Sequence, residues 1–461
     1  MTVDFENYQS PFSWRYGSKQ MRQLFSEVEK RKTWRRVWVA LAKSQFKLGL
    51  VSKRELDDII KFQNEINIEA AHKIESQIKH DLMAEVRVYA QQAKIGGGKI
   101  HLGATSQDIE DNADAINYKK ALTIIEEDLK NLLRIWAKKI EENKNLVCMA
   151  YTHLQPAEPT TIGYRFAFYA QDLLSDLELL TFVKNNIKGK GIKGAVGNYA
   201  SYVSLVGQKA QNLEKNVLTD LGIEAFEITN QVYPRKLDFF ILSTLASIAQ
   251  SLYKFAFDLR ILQAAQFGEI AEPFGEKQVG SSAMPFKRNP QNSERICSLA
   301  RYIVSLTRVA WDNAANSLLE RTLDDSAAKR IVVPDSFLAC DEILKMSANI
   351  VDKMVINKKN IEKNLGLYGP FSALEAILLK SVKNGANRQE IHEVLRMHSM
   401  KVYDEMQETG KNNLFTNLKK DKKLLKYLTP AEIENLSDYK HHIGLAPKKA
   451  SDFAQKIKQS L

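Results

Sequence analysis

The stretch DNADAINYKKALTIIEEDLKNLLRIWAKKIEEN, Asp111 to Asn143, holds neither glycine nor proline, and Ile125, Leu129, Leu132, Trp136 and Ile140 recur in it at three- and four-residue spacing. That spacing predicts one amphipathic helix, about 50 Å long at a rise of about 1.5 Å per residue. Runs of the same kind follow at Thr161 to Asn185, Lys236 to Phe267 and Pro290 to Glu320. No two-residue alternation of useful length lies between them, which disfavours an α/β fold. The pattern predicts an all-α protein built around a bundle of long helices. Helices of this length expose more than one apolar face, so self-association is expected.

On the N-terminal side, Met21 to Leu48 and Lys53 to Tyr89 also read as helices. Beyond about Asn357 the pattern shortens: Gly385 ends one helix, Asn387-Arg388-Gln389-Glu390 starts another, and Thr429-Pro430-Ala431-Glu432 starts a third. Three helical domains are expected, at residues 1–110, 111–356 and 357–461.

Composition narrows the class. With 461 residues, 44% hydrophobic and 26% charged, the chain can bury a sizeable core. Its three cysteines, Cys148, Cys297 and Cys340, are far apart and form no C-x-x-C pair, which argues against a disulfide framework or a zinc site. The first ten residues lack the basic and apolar regions of a signal peptide, and no run approaches about 18 consecutive apolar residues. A cytoplasmic protein with no membrane partner is expected. The net charge is +11, and Lys411 to Leu461 holds eleven lysines against five acids, so more than half of the excess lies in this tail. Lysines scattered over helices read as a solvated face, and no nucleic-acid partner is expected.

Polar clusters fall in the breaks between helices. The densest is GSSAMPFKRNP, Gly280 to Pro290. Asn289 before Pro290 reads as a helix N-cap, so Lys287, Arg288 and the free N–H groups of that helix would favour an anion. Others are Trp14-Arg15-Tyr16-Gly17, Lys79-His80-Asp81, His101 to Asp108, Tyr151 to Thr160, Gly191 to Ser201, Asn230 to Asp238, Glu269 to Gln278 and Leu319 to Arg330. Each has a bland reading as a cap, a turn, a packed arm or a charged surface.

Taken together these clusters resemble one family. GSSAMPFKRNP is similar to the G-S-S-x-M-P-x-K-x-N-P signature of the fumarase/aspartase superfamily, and ERTLDDS, Glu320 to Ser326, is similar to its adenylosuccinate lyases. The resemblance runs over nearly the whole chain. It implies a homotetramer with a twenty-helix core, each active site drawing on three subunits. The implied reaction is β-elimination of fumarate from adenylosuccinate, giving AMP, and from the succinylaminoimidazole carboxamide ribotide (SAICAR), giving AICAR, in purine biosynthesis.

The same resemblance assigns roles. Ser281 would be the general base, helped by Lys287, and His153 the general acid toward the leaving nitrogen. His80, counted among the catalytic residues, and Asp81, both within the Lys79-His80-Asp81 triplet, would position the base and the ribose end. Thr105 and Ser106 would hold the succinyl group, with Asn289 on its carboxylate. Thr152, Gln231 and Arg295 would contact substrate. Arg15, Tyr16, Arg321, Ser326 and Arg330 would take the phosphate. No cofactor is implied, and no metal-ligand cluster is legible in the sequence. One departure is Phe286, where relatives often carry histidine or tyrosine. Competing readings are another lyase of the superfamily, such as argininosuccinate lyase or fumarase, and a basic helical scaffold.

Overall fold

The computed structural model describes residues 6–461. The long helices follow the predicted runs within a few residues: Ser106–Asn143 (α1), Ile162–Asn185 (α2), Lys236–Gln263 (α3) and Gln291–Ala315 (α4). A fifth, Asp324–Lys353 (α5), carries Pro334 in its interior. The fold is all-α. By internal contacts the chain forms two units, one of Met1–Leu129, Asp176–Leu252 and Ser298–Lys345, the other of Lys130–Ser175, Tyr253–Cys297 and Met346–Leu461.

In the first unit, Trp34, Trp38 and Leu41 of the helix Glu27–Lys47 pack with Tyr89, with Ile109 and Ile116 of α1, and with Leu213 and Val217. Full burial of such side chains is worth about 1.5–3 kcal/mol each. The region predicted as one helix from Lys53 to Tyr89 is three: Lys53–Lys61, Ile68–Ile78 and Asp81–Gln92. No glycine or proline marks the breaks; instead Asn67 caps one helix start and Lys79 takes a left-handed backbone, φ 56°. Lys79-His80-Asp81 therefore lies at a helix junction, not inside a helix.

In the second unit, Trp136 packs against Phe166 and Phe255, with ring centroids 5.2 and 5.0 Å apart. Its C-terminal part is built on Lys358–Lys383 (α6) and Arg388–Thr409 (α7), which bury Ile377, Leu395 and Val402 with Leu418, Leu424 and Ile433. Gly385 follows the end of α6 at φ 91°, and Thr429 with Glu432 forms a complete capping box.

This unit also holds an antiparallel hairpin where no strand was expected, Val147–Thr152 (β1) and Gln155–Thr161 (β2). Pro156 and Pro159 mask it, and proline is tolerated because a two-stranded ribbon consists only of edges. Helix α3 is long and apolar enough to cross a membrane by length and composition, yet 56% of its most apolar window is buried inside the protein. Large apolar side chains remain exposed on the long helices, among them Phe168 and Phe182 of α2, Phe240 and Phe257 of α3, and Trp311 of α4.

Candidate functional site

The first unit gathers a polar cluster around a cavity of about 190 Å³ lined by Arg321, Ser326 and Arg330, together with Lys30, Glu110 and Lys329. The spacing of Ser326 and Arg330 on α5, one helical turn apart, puts them on one face. Arg321 donates from Nε to the Thr322 carbonyl at 3.0 Å and lies 3.8 Å from Asp325. Its Nη1 is buried and has no hydrogen-bond partner among the described residues, a costly state that an anion would relieve. Beneath it, Arg235 bridges Asp111 at 2.9 Å and Asp325 at 2.6 Å, both buried.

Arg330 donates to Asp81 at 2.7 Å. Burial works to raise the Asp81 pKa, but the Arg330 charge and hydrogen bond outweigh it and hold the carboxyl below its usual range. His80 caps the helix Asp81–Gln92, its Nδ1 accepting the Met83 N–H at 3.4 Å, while its Nε2 lies 3.5 Å from Ser106 Oγ. The structure thus brings Ser106, His80, Asp81 and Arg330 together in a chain of contacts. Lys79 sits beside them at the helix end.

Thr105 opens α1, and its N–H donates to Asp108 at 3.1 Å. Asp108 is fully buried; it pairs with Lys190 and accepts the Gly194 N–H at 3.1 Å and the Tyr202 hydroxyl at 3.3 Å. One carboxylate therefore anchors both the Thr105-Ser106 turn and the Gly191 to Ser201 loop. Gln231 is tied by its N–H to the Glu320 carbonyl at 3.3 Å, alongside the ERTLDDS segment. His101 is held by Trp38, whose Nε1 donates to its Nδ1 at 3.1 Å, and burial pushes its pKa down to about 4. Arg15 lies over the Tyr16 ring at 5.7 Å, and the next residues, Gly17 and Ser18, donate to Glu342 and Asp341 of α5. Arg15 and Tyr16 are not among the residues lining the cavity.

Glu110 is a group the sequence reading did not single out. It lines the cavity and accepts from Gln107. Burial, reinforced by Asp81 and Asp114, pushes its pKa up to about 8.

The second unit carries Thr152, His153, Ser281, Lys287, Asn289 and Arg295. His153 and Leu154 form the tip of the hairpin, an exposed two-residue turn at φ 54° and 59°. Non-glycine residues there cost about 1–3 kcal/mol each. The loop Gly280 to Asn289 is largely exposed, with Phe286 at 83%. Ser281 Oγ accepts the Met284 N–H at 3.1 Å, and the Lys287 N–H donates to the Met284 carbonyl at 3.0 Å. A Cβ on Gly280 would come within 2.1 Å of the Lys287 carbonyl, so the loop's neck requires glycine. Arg295 stands half-buried on α4.

Asn289 does not cap α4. Its Nδ2 donates to the Gly280 carbonyl at 2.8 Å, as does Gln291 Nε2 at 3.1 Å, which closes the neck of the loop. The start of α4 is occupied by the buried carboxylate of Glu272, which accepts the N–H groups of Asn292 and Ser293 at 3.2 and 2.5 Å. This corrects the expectation that those N–H groups await an external anion. A second acid from the same stretch, Glu269, is fully buried and accepts from Tyr151, Arg165 and Asn364 at 2.9, 3.2 and 3.0 Å. The only sequence signal for these two acids was their place in Glu269 to Gln278, directly before the signature loop.

A family model described as Lyase matches residues 9–305, and one described as Adenylosuccinate lyase C-terminus matches residues 370–453. Adenylosuccinate lyase of Schistosoma mansoni is 40% identical over 91% of this chain and 88% of its own. The Saccharomyces cerevisiae adenylosuccinate lyase is 38% identical over 98% of this chain and 95% of its own. Among solved structures, 3-carboxy-cis,cis-muconate lactonizing enzyme from Pseudomonas putida superposes with a TM-score of 0.86 at 22% identity, covering 98% of this chain and 100% of its own. Fumarate lyase from Mesorhizobium sp. BNC1 gives 0.85 at 21%, covering 97% and 99%. At such identities the solved structures speak to the fold alone.

Proposed function

The chain belongs to the adenylosuccinate lyase family of carbon–nitrogen lyases, and on that premise we propose that it releases fumarate by β-elimination from adenylosuccinate, leaving AMP, and from SAICAR, leaving AICAR. Ser281 takes the proton from the succinyl carbon beside a carboxylate, the electron pair left there forms the fumarate double bond, and the C–N bond breaks. His153 gives a proton to the departing nitrogen, imidazole being able to hold and release one near neutral pH. The doubly charged aci-carboxylate formed on the way needs preorganised positive charge, and Lys287 with the loop N–H groups supplies it. The same charge lowers the cost of ionising Ser281. Asn289 spends one amide N–H on the Gly280 carbonyl and keeps the second for the substrate carboxylate.

The observation that carries the choice of substrate is the cavity of the first unit. Arg321, Ser326 and Arg330 share it, and Arg321 Nη1 is buried without a partner among the described residues. Guanidinium forks and a hydroxyl suit a phosphate dianion, which adenylosuccinate carries and argininosuccinate and fumarate lack. Arg15 and Tyr16 would complete that phosphate site, Ser106 and Thr105 would hold the succinyl group, His80 and Asp81 the ribose end, and Lys79, Thr152, Gln231 and Arg295 further substrate contacts. The exposed aromatic side chains of α2, α3 and α4 support self-association, and the family resemblance implies that it takes the form of a homotetramer with a twenty-helix core and active sites shared among three subunits. The division into domains at 1–110, 111–356 and 357–461 and a cytoplasmic location go with this reading, which requires no cofactor, metal, membrane or nucleic acid.

The test is fumarate release from adenylosuccinate and, separately, from argininosuccinate by the purified full-length chain. Fumarate with equimolar AMP from adenylosuccinate alone is expected. Fumarate from argininosuccinate, or from neither, overturns the reading.

A further inference from the structure

The turn that carries His153 is one its own sequence does not favour. The pair Thr152 and Gln155 leaves a two-residue connection, His153-Leu154, with both residues at positive φ. Turns of this kind are ordinarily made by asparagine and glycine. A strained backbone in such a place persists only where surrounding contacts impose it. Those contacts gather on the half of β1 that leads into the turn. Tyr151, two residues before His153, donates its hydroxyl to Glu269 Oε1 at 2.9 Å and sets its ring edge-on to Phe267 at 4.9 Å between centroids. Arg165 donates to the other Glu269 oxygen at 3.2 Å and, through Nη2, to the Met149 carbonyl at 2.5 Å. The ladder register shifts between Met149 and Tyr151, so Arg165 holds the strand at its irregularity. Asn364 of α6 donates to Glu269 at 3.0 Å and to the Phe267 carbonyl at 3.1 Å, fixing the carboxylate from a third side.

We propose that Glu269 is a positioning residue for His153: through Tyr151 and Arg165 it clamps both sides of the β1 irregularity and so sets where the hairpin tip holds the imidazole. The clamp works as a unit because its charges are satisfied internally. Glu269 is fully buried and balanced by Arg165, and an unpaired charge there would be untenable. Burial, and then the neighbouring Glu269 charge, keep the Tyr151 pKa far above its usual value, so its hydroxyl stays a donor throughout the neutral range. Truncation of the clamp leaves His153 chemically intact but misplaced, and small misplacements of a catalytic group cost on the order of a hundredfold in rate.

This inference rests on the reading of His153 as general acid, and the test separates the two. Tyr151→Phe, His153→Ala and the double variant of the full-length enzyme are assayed on adenylosuccinate, with thermal unfolding followed in parallel. Tyr151→Phe removes one hydroxyl from the clamp and should lower kcat roughly ten- to a hundredfold with KM within about threefold of wild type and a cooperative unfolding transition retained. In the His153→Ala background the same change should lower kcat no further, because there is no longer an imidazole to misplace. If Tyr151→Phe keeps wild-type kcat while His153→Ala loses it, the positioning role is overturned. An equal loss in both backgrounds overturns it too. A wild-type rate in His153→Ala overturns the general-acid reading and, with it, this proposal.

Discussion

The cavity cluster of the first unit and the signature loop of the second are built in opposite ways. In the first, almost every charge already has a counter-charge: Arg330 with Asp81, Arg235 with Asp111 and Asp325, Lys329 with Asp114 at 2.8 Å. The arrangement surrounds a cavity and leaves a buried donor, Arg321 Nη1, unpaired among the described residues. In the second, Ser281 and Lys287 sit on an exposed loop whose hydrogen bonds run mainly within itself and to its neck. On the proposed roles, the first cluster, whose charges are already paired, supplies ground-state binding, and the second supplies the proton transfer from a loop open to solvent. Interactions formed only as the reaction proceeds are the ones that raise kcat.

That contrast can be broken by mutation. Arg321→Ala removes a fork of donors to a charged group, and hydrogen bonds of that kind are worth about 1.5–3 kcal/mol. KM for adenylosuccinate should rise roughly ten- to a hundredfold with kcat within about fivefold. Steady-state kinetics decide it: a fall in kcat with unchanged KM would place Arg321 with the chemistry. A smaller effect sharpens the picture of the hairpin. Leu154→Gly relieves the left-handed strain at φ 59°, so in a Tyr151→Phe background it should recover a few-fold of the lost kcat. No recovery would mean that turn strain is not what the clamp opposes.

The smallest effect concerns Glu110 and is read in stability. Its pKa of about 8 in the folded state exceeds the unfolded value. Between roughly pH 4.5 and 8 the folded protein therefore holds a proton that the unfolded chain has released, and stability falls as pH rises through that window. Glu110→Gln should remove this slope. Its Tm should match wild type near pH 5 and exceed it by a few degrees at pH 9. A constant difference across that range would contradict the raised pKa.

Legibility in the sequence followed the range of the interactions. Helices α1 to α4 were readable because a three- and four-residue apolar stripe is a local property, as at Ile125, Leu129 and Leu132. Signature motifs located Ser281, His153 and Arg321 for the same reason, as contiguous strings. What was not legible depends on partners distant in the chain. Asn289 before Pro290 is a good local cap, yet it lost to a bond with Gly280, while Glu272, seventeen residues upstream, took the helix end. The hairpin was hidden by its prolines, and the role of Glu269 becomes visible only when Tyr151, Arg165 and Asn364 meet around it. The break at Lys79 had no glycine or proline to announce it.

The central proposal is that the nucleotide phosphate is held by the cavity residues of the first unit while Ser281 of the second takes the proton, and one variant tests it most directly. Ser281→Ala is titrated with AMP by calorimetry and assayed for fumarate release from adenylosuccinate. The account predicts AMP affinity equal to wild type with fumarate release reduced at least a thousandfold, on the order expected for loss of an essential general base. Fumarate release near the wild-type rate, or AMP binding lost together with activity, would contradict it.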